Sequence, residues 1–159
     1  MHRVRCYFQD IKGEGFGEAQ MDYSSITSVP ELCAALQIPS CDLLLPCIVC
    51  GNFLIPEDIQ NFSAAPFCIV WRSNCAYGIC ESCAKLTAAF ERLNYTQGSF
   101  SADDYLLCFG EAVFAVTVRC LRCLHKLSVS EIDCMVEAGQ HFVLVRDILR
   151  GLCSSCNLE

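Results

Sequence analysis

The sequence predicts an α+β fold of two small zinc-binding domains, each a short antiparallel sheet with short helices, joined by a linker helix. Three observations predict it: eight cysteines form four Cys-x-x-Cys pairs, the pairs fall into two sets with the same internal gap of 29 residues, and the second set follows the first at a constant shift of 73 positions. The eight are Cys47, Cys50, Cys80, Cys83, Cys120, Cys123, Cys153 and Cys156. Such a repetition is not expected by chance, so one structural unit is predicted to occur twice.

The residue type and spacing favour zinc as the metal ion that these cysteines bind. Zinc takes four thiolate ligands tetrahedrally at about 2.3 Å. Two cysteines three positions apart can lie on one tight turn, so two such pairs form a closed four-cysteine site. A closed site leaves no position for water and is structural rather than catalytic. We therefore predict two structural Zn²⁺ ions and no enzyme activity, with metal binding supplying folding energy to repeats that are small for an independent core.

Other uses of the cysteines are less well supported. The 15 cysteines are an odd number and the N-terminal residues lack the apolar core of a signal peptide, which disfavours a disulfide framework. A redox-active Cys-x-x-Cys would need a βαβ setting. Iron also suits a tetrahedral sulfur site, so zinc and iron stay open. Four cysteines complete each site, so neither His125 nor His141 is predicted to be a ligand. The other cysteines are predicted to be buried thiols: Cys6, Cys33, Cys41, Cys68, Cys75, Cys108 and Cys134.

Composition and charge restrict the function classes. The 53% hydrophobic content is enough for a packed core, and no apolar run reaches the 18 or more residues of a membrane span, so no membrane partner is predicted. The formal charge is −7 and no basic run is present, which makes nucleic-acid binding weak at best, because phosphate neutralisation supplies most non-specific affinity. Many free thiols favour a reducing compartment.

Four segments are predicted from the repeat and its flanks. Residues 1–28 begin with a stretch rich in Gly and Glu and are expected to be a flexible extension, within which Met21 is an alternative start to Met1. The first zinc domain is expected at 29–83, the linker helix at 84–100 and the second zinc domain at 101–159.

The first repeat is predicted to open with a helix. Ser28 caps it and Pro30 occupies its first turn, and the pattern covers residues 30–38. A short helical piece over residues 41–45 leads into the first cysteine pair. Its three leucines, residues 43–45, are expected to pack against the metal site.

Two strands and a helix are predicted between the cysteine pairs of the first repeat. A short strand covers residues 52–55, and Pro56 with the acids that follow it opens a helix. Residues 67–72 are rich in β-branched and aromatic side chains, which predicts a strand with Phe67, Ile69 and Trp71 on one face.

The linker is predicted to be helical from 80 to 95, with Leu86, Phe90 and Leu93 at helical spacing. Residues 96–99 should end it. Ser101 then starts another helix that ends near Gly110.

The second repeat follows the same order. Residues 128–131, Ser-Val-Ser-Glu, form a capping box, and residues 142–145 are the counterpart strand. Gly78 and Gly151 each stand two positions before a cysteine pair, where we expect a tight turn of the backbone.

Beyond the cysteines, two stretches strengthen a family resemblance. They are Val29-Pro30-Glu31-Leu32-Cys33-Ala34-Ala35-Leu36 and Phe67-Cys68-Ile69-Val70-Trp71-Arg72 with Tyr77 and Gly78. Together with the tandem cysteine units, they resemble papillomavirus early protein six, a viral adaptor oncoprotein, over residues 29–156. The sister family, early protein seven, resembles one repeat only.

The resemblance implies a non-catalytic viral early protein in the host nucleus and cytoplasm. In the family, a groove captures acidic LxxLL helices of host proteins, either a HECT-type ubiquitin ligase or a Mastermind-like Notch coactivator. Capture of these partners reprogrammes tumour-suppressor, apoptosis, differentiation and transcription control. Weak self-association is also compatible with this class.

By position, the resemblance assigns peptide contact to eight residues. They are Ile48, Val49, Cys68, Val70, Ile79, Phe90, Arg119 and Arg150. Taken alone, the apolar ones are ordinary core candidates and the arginines are candidates for pairing with Asp103, Asp147 or Glu131. Ile148 stands where other members have an arginine, and this departure leaves the partner class open.

The last residues also depart from some family members. The chain ends Ser155-Cys156-Asn157-Leu158-Glu159, without the PDZ-ligand pattern of those members, so we expect no PDZ binding. This departure and Ile148 favour the Mastermind-like class. The alternative function is a zinc-ribbon-like nucleic-acid-binding transcription regulator, which the acidic charge disfavours. A RING-type ligase would need interleaved ligands, whereas these two sets are consecutive.

Overall fold

The computed structural model describes residues 23–158, which divide between Glu81 and Ser82 into two compact units. The predicted mixed fold is confirmed: short helices alternate with two small sheets, and each repeat holds one cluster of four cysteines. Residues 1–22, which make up most of the predicted N-terminal extension and include Cys6, lie outside the described part. No helix in the described part is long and apolar enough to cross a membrane.

The first unit contains two helices and a two-stranded hairpin. Helix α1 is Val29–Leu36, and Ser28 caps it as the sequence predicts. Ser28 accepts a hydrogen bond from the Glu31 N–H while Glu31 accepts one from the Ser28 N–H, so the cap is a capping box. Helix α2 is Pro56–Ala64. Strands β1 (Val70–Arg72) and β2 (Cys75–Tyr77) pair in antiparallel register.

Residues before α1 pack on the hairpin of the first unit. The Ile69 N–H donates to the Thr27 carbonyl over 2.8 Å, and the Trp71 Nε1–H donates to the Ile26 carbonyl over 2.7 Å. The Trp71 ring also stacks on Tyr23, with 6.4 Å between centroids. Strand β1 is shorter than the predicted strand over residues 67–72, because Phe67 and Ile69 lie before it.

Four helices and a four-stranded sheet form the second unit. The helices are α3 (Glu81–Tyr95), α4 (Ala102–Phe109), α5 (Val129–Glu137) and the short α6 (Ser154–Asn157). The strands are β3 (Thr96–Phe100), β4 (Arg119–Cys120), β5 (Phe142–Val145) and β6 (Ile148–Gly151), in the order β3-β5-β6-β4. The pairing is antiparallel except between β4 and β6, which run parallel.

The backbone of the second repeat reproduces that of the first at the shift of 73. Helices α2 and α5 coincide at both ends after the shift. Four pairs of positive-φ residues coincide as well: Gln37 with Gly110, Gly51 with Leu124, Ser73 with Arg146, and Asn74 with Asp147. The last two pairs form the β1–β2 and β5–β6 turns, which reverse through two successive left-handed residues. The duplication is therefore a duplication of conformation, not only of cysteine spacing.

Three local expectations are wrong. Residues 52–55 are not a strand, because only an isolated bridge joins Phe53 to Pro46. Residues 41–45 form no helical piece beyond a single 3-10 turn, Ser40–Asp42. Leu44 does not join Leu43 and Leu45 in the core, since it is 73% exposed.

The linker helix ends at Tyr95 as expected, but the segment that follows it and the side chains that it buries differ from the prediction. Residues 96–100 continue as β3 instead of a loop. The buried side chains of α3 are Cys83, Ala84, Ala88 and Glu91, whereas Leu86, Phe90 and Leu93 are exposed. The local sequence does not predict a buried glutamate on this face, because its cationic partner comes from a distant strand.

Candidate metal centres

The first cluster brings together Cys47, Cys50, Cys80 and Cys83, whose sulfurs all lie within 4.8 Å of one another. The first pair sits on a turn in which the Gly51 N–H donates to the Cys47 carbonyl over 2.9 Å, with Gly51 at φ +76°. The Cys80 N–H points at the Cys47 sulfur, 3.5 Å away. Backbone hydrogen bonds thus hold both cysteine pairs of this repeat around one centre.

The second cluster has the same construction from Cys120, Cys123, Cys153 and Cys156, again within 4.8 Å. Leu124, at φ +65°, replaces Gly51 and donates to the Cys120 carbonyl over 3.1 Å. A leucine in the left-handed region is strained, and its burial at 4% exposure offsets that strain.

Both clusters fit a tetrahedral metal ion. Sulfurs bound at about 2.3 Å to a tetrahedral ion lie about 3.8 Å apart. The Cys50 and Cys80 sulfurs are 3.9 Å apart, and the Cys123 and Cys153 sulfurs are 3.7 Å apart. A disulfide would place them at about 2.05 Å. The structure therefore brings together the same two groups of four cysteines that the spacing predicts, and each group could hold a metal ion; ligation of the metal by these residues stays a prediction.

The electrostatics of the clusters favour a bound cation. Burial raises the pKa of Cys47, but N–H groups of Cys50, Cys80 and Val49 outweigh burial and lower it to about 7. In the second cluster, the hydrogen bond from Cys123 lowers the pKa of Cys120 to about 4 against the effect of burial. That bond and burial raise the pKa of Cys123, while burial and Cys153 raise the pKa of Cys156 to about 12. A site of this kind stabilises one thiolate readily, and a dication is needed to keep all four deprotonated.

In each repeat, a carboxylate in the first turn of a helix accepts a hydrogen bond from the backbone beside the third cysteine ligand, and this carboxylate is called the brace. The Asp58 carboxylate accepts from the Glu81 N–H over 2.9 Å and from the Ile55 N–H over 3.3 Å. At the shifted position, Glu131 accepts from the Ser154 N–H over 2.8 Å and from the Ser128 N–H over 2.8 Å. Residues 81 and 154 directly follow the third ligand of each set. One acid therefore joins the start of a helix to the backbone of a metal-binding turn.

The brace of the second repeat is held in its charged form. Burial raises the pKa of Glu131, but hydrogen bonds from Ser154 and Ser128 outweigh burial, so its pKa lies below the usual value. Its stabilising contribution is present at neutral pH and is lost as the pH falls through that lowered pKa. The sequence indicates Glu131 as a capping residue or a partner of an arginine, and Asp58 as an acid in the first turn of a helix. It does not indicate that either accepts hydrogen bonds from a metal-binding turn.

Gly78 and Gly151 are needed for a reason other than the predicted tight turn. Neither has a positive φ. A Cβ on Gly78 would lie 2.8 Å from Leu45 Cδ2, and one on Gly151 would lie 2.6 Å from Met135 Sδ. The missing side chain lets core residues approach the strand that leads into each second cysteine pair.

The described cysteines outside the clusters are less buried than the sequence predicts. Four of the six described non-cluster cysteines are exposed rather than buried: Cys41, Cys75, Cys108 and Cys134. Cys33 and Cys68 are half-buried. Neither His125 nor His141 joins a cluster in the part of the chain that the structure describes.

Five of the predicted peptide-contact residues lie in the first unit. Val49 is 57% exposed on the first cysteine turn, and Ile48 beside it is half-buried. The Ile48 N–H donates to the Gly78 carbonyl over 2.9 Å, next to Ile79, which is buried. Cys68, which lies before β1, and Val70, the first residue of β1, are half-buried.

The other three lie in the second unit. Phe90 is 55% exposed on α3 and contacts the Tyr95 ring edge-on. Arg119 and Arg150 are neighbours in the β4–β6 register, and Arg119 is half-buried with its Nη1–H donating to the Leu124 carbonyl over 3.0 Å. Arg150 is only 2% exposed.

Arg150 takes part in a buried ion pair. Its Nη2 lies 3.0 Å from Oε2 of Glu91, which is 4% exposed on α3. Glu91 also approaches Nε of Arg146 at 3.7 Å, and the Arg146 guanidinium lies over the Tyr95 ring at 3.8 Å. Glu91 is not one of the acids that the sequence suggests as a partner for Arg150. The distance of 59 positions between the pair explains why no local pattern indicates it.

Comparisons with known proteins agree with this architecture. A family model described as Early Protein (E6) matches residues 47–156. The chain is 38% identical over 122 residues to Protein E6 of Mastomys natalensis papillomavirus, covering 76% of this chain and 90% of that protein. It is 34% identical over 131 residues to Protein E6 of human papillomavirus type 8, covering 82% and 84%, and 33% identical over 133 residues to Protein E6 of human papillomavirus type 1, covering 84% and 95%.

The carboxylate brace predicts a specific loss of metal retention. Glu131→Ala should speed metal transfer from the second cluster to a chromogenic chelator about 10- to 100-fold, because supporting partners of metal ligands typically contribute that much. Asp58→Glu should leave the rate of metal transfer from the first cluster near that of wild type, since the second repeat has glutamate at the equivalent position. Glu137→Ala, at the exposed end of α5, is the control. Equal transfer rates for Glu131→Ala and the control would contradict the brace.

The buried ion pair predicts a non-additive pair of substitutions. Arg150→Met should destabilise the second unit by about 3–5 kcal/mol, because it removes the buried cation nearest to the Glu91 carboxylate and leaves only the more distant, exposed Arg146. Adding Glu91→Leu should restore much of the loss, since an apolar pair of similar volume replaces the ion pair. Thermal unfolding measures both, and the exposed Arg72→Met is the control. Additive losses would show that the two side chains do not depend on each other.

Proposed function

The chain belongs to the papillomavirus early protein six family, and on that premise we propose that it is a non-catalytic viral adaptor that captures acidic LxxLL helices of host proteins. The observation that carries the proposal is the family match over both cysteine clusters. Membership of this family makes the chain a viral early protein. The LxxLL peptide, the host partners and the effects on the host cell are proposed.

The proposed resident metal is zinc, two ions per chain. Four thiolates at tetrahedral spacing suit Zn²⁺, and a closed set of four cysteines gives the ion a structural role. When bound, the ion supplies charge neutralisation and cross-linking. The cysteines of this chain hold it, and Asp58 and Glu131 orient the turns that carry them.

The proposed peptide contact draws on exposed apolar side chains and on arginine. Val49 and Phe90 are more than half exposed, so their apolar side chains are accessible to a partner. Leucines of an amphipathic helix would bury such side chains, and arginines would face the acids of the peptide. Arg119 is the better candidate for direct contact. A contact by Arg150 stays a prediction, and its burial favours a role in holding Glu91 in place.

The proposed partners are a HECT-type ubiquitin ligase or a Mastermind-like Notch coactivator, with action in the host nucleus and cytoplasm. Ligase capture would redirect ubiquitin transfer towards tumour suppressors or pro-apoptotic proteins. Coactivator capture would repress differentiation through transcription. Ile148, which stands where other members have an arginine, favours the Mastermind-like class.

Fluorescence anisotropy with two labelled LxxLL peptides, one from each partner class, tests the proposal on metal-loaded protein. We expect one peptide to bind, and Val49→Asp to weaken it about 10- to 100-fold, because a charge replaces an apolar contact at an exposed position.

Leu107→Asp is the matched control for this experiment. Leu107 is an 83% exposed leucine outside the predicted contact set, so its charge substitution should leave peptide affinity unchanged. Absence of binding by both peptides, with two metal ions per chain confirmed, would overturn the adaptor function while leaving the fold intact.

A further inference from the structure

An exposed apolar surface lies beside the first cysteine cluster and includes none of the predicted peptide-contact residues. It consists of Leu44, Phe53 and Ile55, which are 73%, 59% and 56% exposed, and is called here the outer face. The chain segments that carry these residues run antiparallel around the first cysteine turn, bridged at Pro46 and Phe53.

The register explains why these three side chains share one surface. The Leu54 N–H donates to the Leu45 carbonyl over 2.8 Å, so residues 45 and 54 are opposite each other. Their side chains point inward, with exposures of 0% and 5%. Because side chains alternate along each segment, Leu44 faces Ile55 on the outer side, next to Phe53.

The second repeat shows that the fold does not require this apolar surface. Its equivalent bridge joins Arg119 to Lys126, and the Leu127 N–H donates to the Val118 carbonyl over 2.9 Å. Val118 and Leu127 are buried as their counterparts are, at 1% and 3% exposure.

The outward positions are polar in the second repeat. They are Thr117, Lys126 and Ser128, which stand 73 positions after the residues of the outer face. The same backbone thus keeps its inner side apolar in both repeats and its outer side apolar in only one. Folding requires the apolar inner side but not the apolar outer side of the first repeat, and an exposed apolar surface of this kind can mark an interaction site.

Charge defines the chemistry of that partner. Asp42 and Glu57, both exposed, flank the outer face along the chain. Residues 23–71 contain four acids (Glu31, Asp42, Glu57 and Asp58) and no lysine, arginine or histidine. A second copy of the chain would bring the same acids against them, whereas a segment with lysine or arginine around an apolar centre would complement them.

We propose that the outer face is a docking surface for a basic amphipathic segment of another protein. Its apolar side chains cover Leu44, Phe53 and Ile55, and its cations face Asp42 and Glu57. This interaction is separate from LxxLL capture, for which the predicted peptide is acidic.

A designed peptide of leucines and lysines with helical amphipathic spacing serves as the probe, and a leucine–glutamate peptide of the same pattern is its counterpart. We expect the full-length, metal-loaded chain to bind the lysine peptide and not the glutamate peptide in anisotropy measurements. Amide chemical-shift changes should centre on residues 44–55.

The decisive variant is Leu44→Thr/Phe53→Gln/Ile55→Ser, which leaves the net charge unchanged and takes its polar character from the second repeat. It should keep two metal ions and weaken the lysine peptide at least about tenfold, because three apolar contacts are lost. The matched control is Leu106→Thr/Leu107→Ser on α4, where two exposed leucines are replaced in the other repeat. It should bind like wild type.

Two further measurements distinguish a docking surface from purely electrostatic binding and from self-association. Asp42→Asn/Glu57→Gln should weaken binding and flatten its salt dependence. Equal affinity of wild type and the triple variant would mean that binding is only electrostatic and would overturn the docking surface. Sedimentation that shows dimers in wild type and monomers in the triple variant would assign the outer face to a second copy and would also overturn the proposal.

Discussion

The structure depends on convergence of four cysteine sulfurs at one point in each repeat. Thiols held within 4.8 Å cannot all lose their protons without a cation, and a cation bound there links segments that are about 30 residues apart in the chain. Hydrophobic packing supports the arrangement. Leu45 and Leu54, which lie on either side of the first cysteine turn, pack against Gly78, which stands two positions before the second cysteine pair. The carboxylates of Asp58 and Glu131 extend the same linkage to a helix in each repeat.

Duplication makes each repeat a reference for the other. Positions that the fold needs have the same character in both: the ligands, the left-handed turn residues, the helix limits of α2 and α5, and the bracing acids. Positions that differ, such as Phe53 and Lys126, are free of the constraints of folding and can carry function. The buried pair of Glu91 and Arg150 belongs to the second unit, where it ties α3 to the sheet. The proposed adaptor function would then depend on the positions that differ between the two repeats.

Features with local or repeated signals are the ones that the sequence predicts. The cysteine clusters follow from spacing, the cap at Ser28 and the capping box at Ser128 follow from local residues, and the start of α2 follows from Pro56. Features that depend on distant partners are not predictable in this way. No local pattern predicts β3, because residues 96–100 become a strand only by pairing with β5. The sequence around Glu91 is that of an exposed helix residue, and only its pairing with the distant Arg150 explains its burial. The core prediction fails at Leu44 because composition alone cannot tell which face of a short segment is inward.

Metal content measured together with folding tests the central claim most directly. Native mass spectrometry and far-UV circular dichroism should show two zinc ions per chain, loss of ordered structure on chelation, and one ion in Cys80→Ser. Cys75→Ser, which changes an exposed cysteine outside the clusters, should retain both ions. A chain that keeps its dichroism and its melting transition after complete removal of metal would contradict the claim that the two four-cysteine centres hold the fold together.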